Sequence, residues 1–246
     1  MEGEICVVYF TGDIHGSPYR IIRFAKRMKL TRSDVIVILG DVGANYYGNN
    51  SDDEMKIHLN AVKPTVLCIH GNHEKRPATI HSYKLKEWNG GQVWFEELYP
   101  KILFTKDGEI YSIDGNRYLV IGGAYSVDKY YRLMRGYGWW EDEQPSAEIK
   151  AYVEKQIAEC EFDVILSHTC PMKYEPVEMF ITQVDQSTVD TSTEEWLDSI
   201  EERVNYKAWF CGHWHTDKRI DRMHFLYNSF ESADMIEQSK DESEDE

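Results

Sequence analysis

Apolar residues fall in short continuous runs that alternate with segments where they recur at helical spacing. Ile5 to Phe10 predicts a strand, Pro18 to Met28 a helix, Val35 to Leu39 a strand, Asp52 to Val62 a helix and Thr65 to Ile69 a strand. Short apolar strands separated by helices of about ten residues are the pattern of βαβ units, whose parallel sheet is buried on both faces. An α/β fold follows.

The pattern changes after residue 100. Ile102 to Ile121 reads as strands around the turns Lys106-Asp107-Gly108 and Asp114-Gly115-Asn116, which predicts antiparallel hairpins and a second sheet. Helical spacing returns at Ser146 to Cys160 and at Thr193 to Val204, with strands at Asp163 to Leu166, Ala208 to Cys211 and Met223 to Tyr227. Ser192 and Glu195 are spaced as a capping box, whereas Ser146 has Ile149 three residues on, so only the later helix start is marked. No internal repeat and no Pro-rich or Ser-rich linker divides the chain, and a single domain over residues 1–236 is expected. Residues 237–246 are too acidic to bury a core and predict a disordered tail.

Composition narrows the class. The balance of 42% hydrophobic and 28% charged residues over 246 positions is that of a globular protein with a sizeable core. The N-terminus MEGEICVVYF lacks the basic and long apolar regions of a secretory signal, and no stretch approaches the roughly 20 apolar residues that span a bilayer. A cytoplasmic location without a membrane partner is expected. The cysteines Cys6, Cys68, Cys160, Cys170 and Cys211 show no CxxC spacing, which weighs against disulfides and a zinc-thiolate site. A formal net charge of −16 repels polyanions, so nucleic acid is expected only as a substrate. The cations of the first helix read as its solvated face.

Five strands end in turns loaded with potential metal ligands. Ile5 to Phe10 leads to Gly12-Asp13-Ile14-His15-Gly16, Val35 to Leu39 to Gly40-Asp41, and Thr65 to Ile69 to Gly71-Asn72-His73-Glu74. Asp163 to Leu166 leads to Ser167-His168, and Ala208 to Cys211 to Gly212-His213-Trp214-His215. The carboxyl ends of strands in open α/β sheets form the crevice where ligands bind, so these turns can converge. Two carboxylates, one amide oxygen and four imidazoles without a thiolate suit manganese, iron or zinc. Asp41 could bridge two ions about 3.5 to 4 Å apart, as in-line displacement at phosphorus uses. Such a pair lowers the pKa of a bridging water from about 15.7 towards 7 and clamps the phosphoryl oxygens. His73 is then placed to protonate the leaving oxygen.

These motifs, in this order and covering residues 12 to 215, resemble those of the calcineurin-like metallophosphoesterases. The resemblance implies a four-layer α/β sandwich of two mixed β-sheets flanked by helices, with a dinuclear metal site at the carboxyl ends of the strands. It implies that Asp13, His15, Asp41 and His215 hold one divalent ion and Asp41, Asn72, His168 and His213 the other. His73 would be the general acid, Glu74 would orient it, and a metal-bridged hydroxide would hydrolyse a phosphomonoester or phosphodiester.

Phosphoprotein phosphatases and diadenosine tetraphosphatases of the superfamily continue their second block with Asp-Arg-Gly. Here it runs Gly40-Asp41-Val-Gly-Ala-Asn45, so that arginine is missing. The stretch Gly122 to Arg132, followed by Gly136 to Trp140 and Glu143-Gln-Pro145, resembles small bacterial and phage-type members. It suggests a substrate wall in which Arg132 reaches a phosphate and Trp139 or Trp140 stacks on a ring. The expected substrate is a small phosphate ester or a nucleotide end. A phosphoprotein phosphatase or dinucleoside tetraphosphatase is the alternative activity, and a catalytically silent metal-binding scaffold the alternative of another class. The complete ligand set and His73 favour activity, because unpaired buried carboxylates and imidazoles are costly without a metal. The segment 75–100 is expected to cap the site or pack beside it.

Overall fold

The computed structural model describes residues 6–234 and 236, so the expected tail at 237–246 lies outside the described residues. Among these the chain forms β1 (Val8–Thr11), α1 (Tyr19–Arg27), β2 (Val35–Ile38), α2 (Asn50–Asn60) and β3 (Thr65–Cys68). There follow β4 (Lys84–Trp88), β5 (Gly91–Phe95), β6 (Ile102–Thr105), β7 (Ile110–Ile113), β8 (Asn116–Ile121) and α3 (Lys129–Arg135). The chain continues through α4 (Ala147–Glu159), β9 (Val164–Ser167), α5 (Ser192–Glu201), β10 (Ala208–Cys211), β11 (Lys218–Ile220), β12 (Met223–Phe225) and β13 (Glu231–Ser232). No helix among the described residues is long and apolar enough to cross a membrane.

Two mixed sheets result. One has the order β13-β1-β2-β3-β6-β5-β4 and the other β11-β12-β10-β9-β8-β7. In each, a parallel centre is bordered by antiparallel strands. Successive side chains of a strand point to opposite faces, and the burial follows that period. Val35, Val37 and Leu39 join Phe10, Tyr118, Leu166 and Phe210 in the core between the sheets. Ile36 and Ile38 pack on the other face against Ile21 and Phe24 of α1 and Leu59 of α2. On the far side, Ile165 and Trp209 meet Val153 of α4 and Leu197 and Ile200 of α5. The layers are therefore helix, sheet, sheet, helix, as the resemblance implied. Strands buried on both faces read as unbroken apolar runs, which is why β2 shows no alternation in sequence.

Several expectations are corrected. The turn at Lys106-Asp107-Gly108 does not close a hairpin: β6 pairs with β3 and β5 in the first sheet, while β7 pairs with β8 in the second. The turn carries the chain from one sheet to the other. Only Asp114-Gly115 closes a hairpin there, with both residues at positive φ, as two-residue turns between twisted strands require. Within 75–100, β4 and β5 form a hairpin around Asn89 and Gly90 that extends the edge of the first sheet. The capping pattern is also reversed. Ser146 accepts a bond from the Ile149 amide at 3.3 Å, whereas Ser192 lies inside α5, whose preceding Thr191 meets Glu195 through its side chain at 3.0 Å.

Candidate metal centre

The turns that bear the candidate ligands leave the carboxyl ends of β1, β2, β3, β9 and β10, and the two sheets bring them to one edge. His15, Asp41, His213 and His215 all have positive φ, between 44° and 64°. Non-glycine residues rarely adopt this region, at a cost of order 1–3 kcal/mol each, and its concentration here marks backbone held for function. The adjoining glycines are required by close approach. A Cβ on Gly212 would lie 2.4 Å from Asp13 Oδ1, and one on Gly71 would lie 2.1 Å from Asp41 Oδ1.

Two constellations meet at Asp41. In the first, His15 Nε2 and His215 Nε2 are 2.8 Å apart, and Asp13 Oδ2 is 3.1 Å from His215 Nε2 and 3.9 Å from His15 Nε2. Candidate ligand atoms of Asp13, His15 and His215 lie within 4.8 Å of one another. In the second, Asn72 Oδ1 is 2.8 Å from His168 Nε2 and 3.1 Å from His213 Nδ1. Asp41 faces both groups: its Oδ1 is 3.5 Å from His168 Nε2 and its Oδ2 is 4.0 Å from His15 Nδ1.

The orientation of these groups fits a cation. Asn72 Nδ2 donates to Ser126 Oγ at 2.9 Å, which turns Oδ1 toward the histidines. His168 Nδ1 donates to the Leu39 carbonyl at 2.8 Å, leaving the Nε2 lone pair aimed at the Asn72 and Asp41 oxygens. Lone pairs set against one another repel unless a proton or a metal ion lies between them. Burial lowers the pKa of His213 well below its ordinary value, which keeps the ring neutral as a ligand must be. Burial would raise the Asp13 carboxyl, yet the His215 hydrogen bond and the neighbouring imidazoles bring it below its usual range.

The model of the calcineurin-like phosphoesterases matches residues 7–217, most of the chain and every turn just described. The chain belongs to the calcineurin-like phosphoesterases. Among solved structures, TT1561 of Thermus thermophilus is similar over 92% of this chain and 97% of its own, with 10% identity and a TM-score of 0.52, a likeness of fold. The protein AQ665 of Aquifex aeolicus is similar at 13% identity over 95% of this chain and 99% of its own (TM-score 0.45). Phosphopantetheinyl hydrolase (PptH) of Mycobacterium tuberculosis is similar at 15% identity over 92% of this chain and 89% of its own (TM-score 0.45). No curated protein matches the chain by sequence.

In this phosphoesterase the supports of the centre are mostly residues that the motifs do not reveal. Arg20 of α1 donates to the carbonyls of Gly12 and Asp13 at 2.7 and 2.9 Å, so one cation of the helix face expected to be solvated holds the turn that carries Asp13 and His15. Ser126 accepts from Asn72 and from Arg132 Nη1 at 3.0 Å and donates to Glu143 at 2.5 Å. Glu74 does not orient His73. Its carboxylate accepts from the amides of Val42 and Ala44 at 3.1 and 3.3 Å, fastening the loop after Asp41, while burial pushes its pKa up to about 8. The His73 amide donates to Asp41 Oδ1 at 2.8 Å and its ring stands edge-on to His15.

Two cavities reach the cluster. The larger, about 520 Å³, has His15, Asp41, Asn72, His73, His213 and His215 as its floor; the smaller, about 430 Å³, runs past His15 and His73 to Tyr46, Tyr47 and Tyr137. Arg132, Trp139 and Trp140 line neither of them. Arg132 is buried on α3 and also reaches the Asn72 carbonyl at 3.4 Å. Trp140 packs against Tyr46 and the Arg132 guanidinium, and Trp139 carries Lys129 over its ring at 4.1 Å. These three were expected to form a substrate wall; instead Arg132, with Trp140 packed on it, stands behind Asn72 and Ser126. His70, both ring nitrogens buried without a hydrogen-bond partner among the described residues, is kept neutral by burial and is not aimed into either cavity's lining.

Proposed function

We propose that this phosphoesterase hydrolyses phosphate monoesters or diesters with two divalent cations, manganese first among manganese, iron and zinc. The observation that carries this reading is the convergence of His15, Asp41, Asn72, His213 and His215 on the floor that His73 shares, with Asp13 and His168 against them from below. Asp13, His15, Asp41 and His215 would hold one ion, and Asp41, Asn72, His168 and His213 the other. When bound, the cations neutralise the phosphoryl charge and make a water acidic enough to attack at neutral pH.

The chain's own residues supply the rest. The constrained turns hold the donors in place, so little reorganisation is needed as charge develops. Burial lowers the pKa of His73, an effect opposed by Asp41, and a phosphate dianion beside the ring would favour the imidazolium further. As water oxygen bonds to phosphorus and the ester P–O bond breaks, His73 gives its proton to the leaving oxygen. Loss of the Asp-Arg-Gly arginine weighs against phosphoprotein substrates, because Arg132 lines neither cavity as a replacement. A manganese-supplemented screen of p-nitrophenyl phosphate, its bis ester, 2′,3′-cyclic nucleotides and phosphopeptides tests the reading. Turnover of the first three classes is expected; inactivity on all four after reconstitution would leave the scaffold alternative, and cleavage of phosphopeptides alone would restore the phosphoprotein phosphatase.

A further inference from the structure

The larger cavity has a floor of metal-ligand candidates and a wall of a different character. The chain between β9 and α5 wraps over the centre in short turns, Met172–Tyr174, Val177–Met179 and Gln186–Thr188, and contributes Met179, Phe180, Ile181, Val184 and Val189 to the lining. Phe180 stacks on Trp214, between His213 and His215, with ring centroids 5.7 Å apart and planes at 21°. Met172, Met179 and Ile181 are 40–49% exposed, an unusual cluster for solvent-facing positions in so acidic a chain. The remaining charged lining points one way: Asp128, Glu175, Asp190 and Glu194 are present, and no lysine or arginine is.

We infer that the substrate is a phosphate ester of a neutral, apolar alcohol, whose aryl or alkyl group lies against Phe180, Ile181, Val184 and Trp214 while its phosphate meets the floor. The inference rests on the hydrolase reading and narrows it. Beyond the floor, a second phosphate or a carboxylate meets acidic residues on the wall and no lysine or arginine, so a nucleoside polyphosphate or nucleic-acid end is disfavoured by charge. An apolar group displaces water from apolar side chains and brings no polar atom of its own that would need a partner there. About 520 Å³ is ample for a substituted ring.

A series of 4-alkylphenyl phosphates from methyl to pentyl tests this, since the alkyl chain hardly alters the leaving group's acidity. In the manganese-loaded protein kcat/KM is expected to rise about two- to threefold per methylene, below the roughly fourfold of complete burial. It should fall by about tenfold when 4-butyl is replaced by the anionic 4-(2-carboxyethyl) group. The non-cleavable 4-alkylbenzylphosphonates, titrated by calorimetry, should show the same trend in Kd. In the double variant Phe180→Ser/Ile181→Ser the slope of either series should flatten. Turnover with no dependence on chain length, or a slope unchanged in the double variant, overturns the apolar wall and leaves the hydrolase. A chain-length trend in phosphonate Kd without turnover of any ester upholds the wall and overturns the hydrolase; a flat Kd series overturns the wall whatever the turnover.

Discussion

His168 Nδ1 lies 2.8 Å from the carbonyl oxygen of Leu39, the residue between the end of β2 and the Gly40-Asp41 turn. That bond fixes the ring and turns Nε2 toward Asn72 and Asp41, so a strand of one sheet sets the donor atom contributed by the other. Histidine ligands are commonly oriented in this way.

If the oriented ring is a ligand, the protein should be stabilised by manganese. At a hundredfold excess over Kd, binding to the folded state alone contributes about 2.7 kcal/mol, or roughly 5 to 10 °C in Tm for a chain of this size. His168→Ala and Asp41→Asn should lose most of that shift in a thermal melt. An equal shift in both variants would remove these residues from the ligand set.

Gly212→Ala and Gly71→Ala should weaken manganese binding by tenfold or more. Their new methyl groups would press on Asp13 Oδ1 and Asp41 Oδ1 respectively, and overpacking of this kind costs about 1–3 kcal/mol. Calorimetric titration of the folded variants reads the outcome, and wild-type affinity in both would show that the turns relax without moving the carboxylates.

His73→Asn separates proton donation from metal binding. With a poor leaving group such as an alkyl phosphate, kcat should fall about 10²- to 10⁴-fold, while the manganese-induced Tm shift remains. With p-nitrophenyl phosphate, whose leaving oxygen hardly needs a proton, the loss should be much smaller. Equal losses on the two esters would rule out the acid role.

Arg132→Met keeps the buried volume and removes the donor to Ser126 and Asn72. Expected are a loss of about 1–3 kcal/mol in stability by urea unfolding and a weaker manganese response, through the Asn72 amide. A rise in KM with metal response and stability intact would instead assign Arg132 to the phosphate.

Glu154 joins α4 to α5. It accepts from both Nη atoms of Arg203 at 2.9 Å and from Trp196 Nε1 at 2.9 Å, and the Arg203 bonds hold its pKa below the ordinary glutamate value. Because the folded pKa is depressed, its stabilisation is complete above the unfolded value of about 4.3 and is lost as pH falls through the folded one. Glu154→Gln should cost about 0.5 kcal/mol at pH 7, small because the pair is partly solvated. The difference from the parent should vanish toward pH 3 in urea titrations; a difference that persists there would not come from the carboxylate's charge.

The turns that bear the candidate ligands could be picked out in the sequence because each is short and contiguous: an apolar run, then carboxylate, amide or imidazole, in most cases after a glycine. Strand and helix periods are likewise local, so the α/β class and most elements could be read directly. The β4–β5 hairpin carried a visible signal in Asn89-Gly90, masked by its exposed charged positions. What the chain order could not express is partnership. Whether β6 joins β3 or β7, which sheet presents His168 to Leu39, and that Arg20, Ser126 and Glu143 hold the ligand loops all depend on residues far apart meeting in space. The apolar wall over the cavity arises in the same way, from a segment with no regular period that acquires a face only by lying across the centre. Local stereochemistry selects turns and elements within a few residues, whereas burial and hydrogen-bond satisfaction are settled only when the two sheets close on each other.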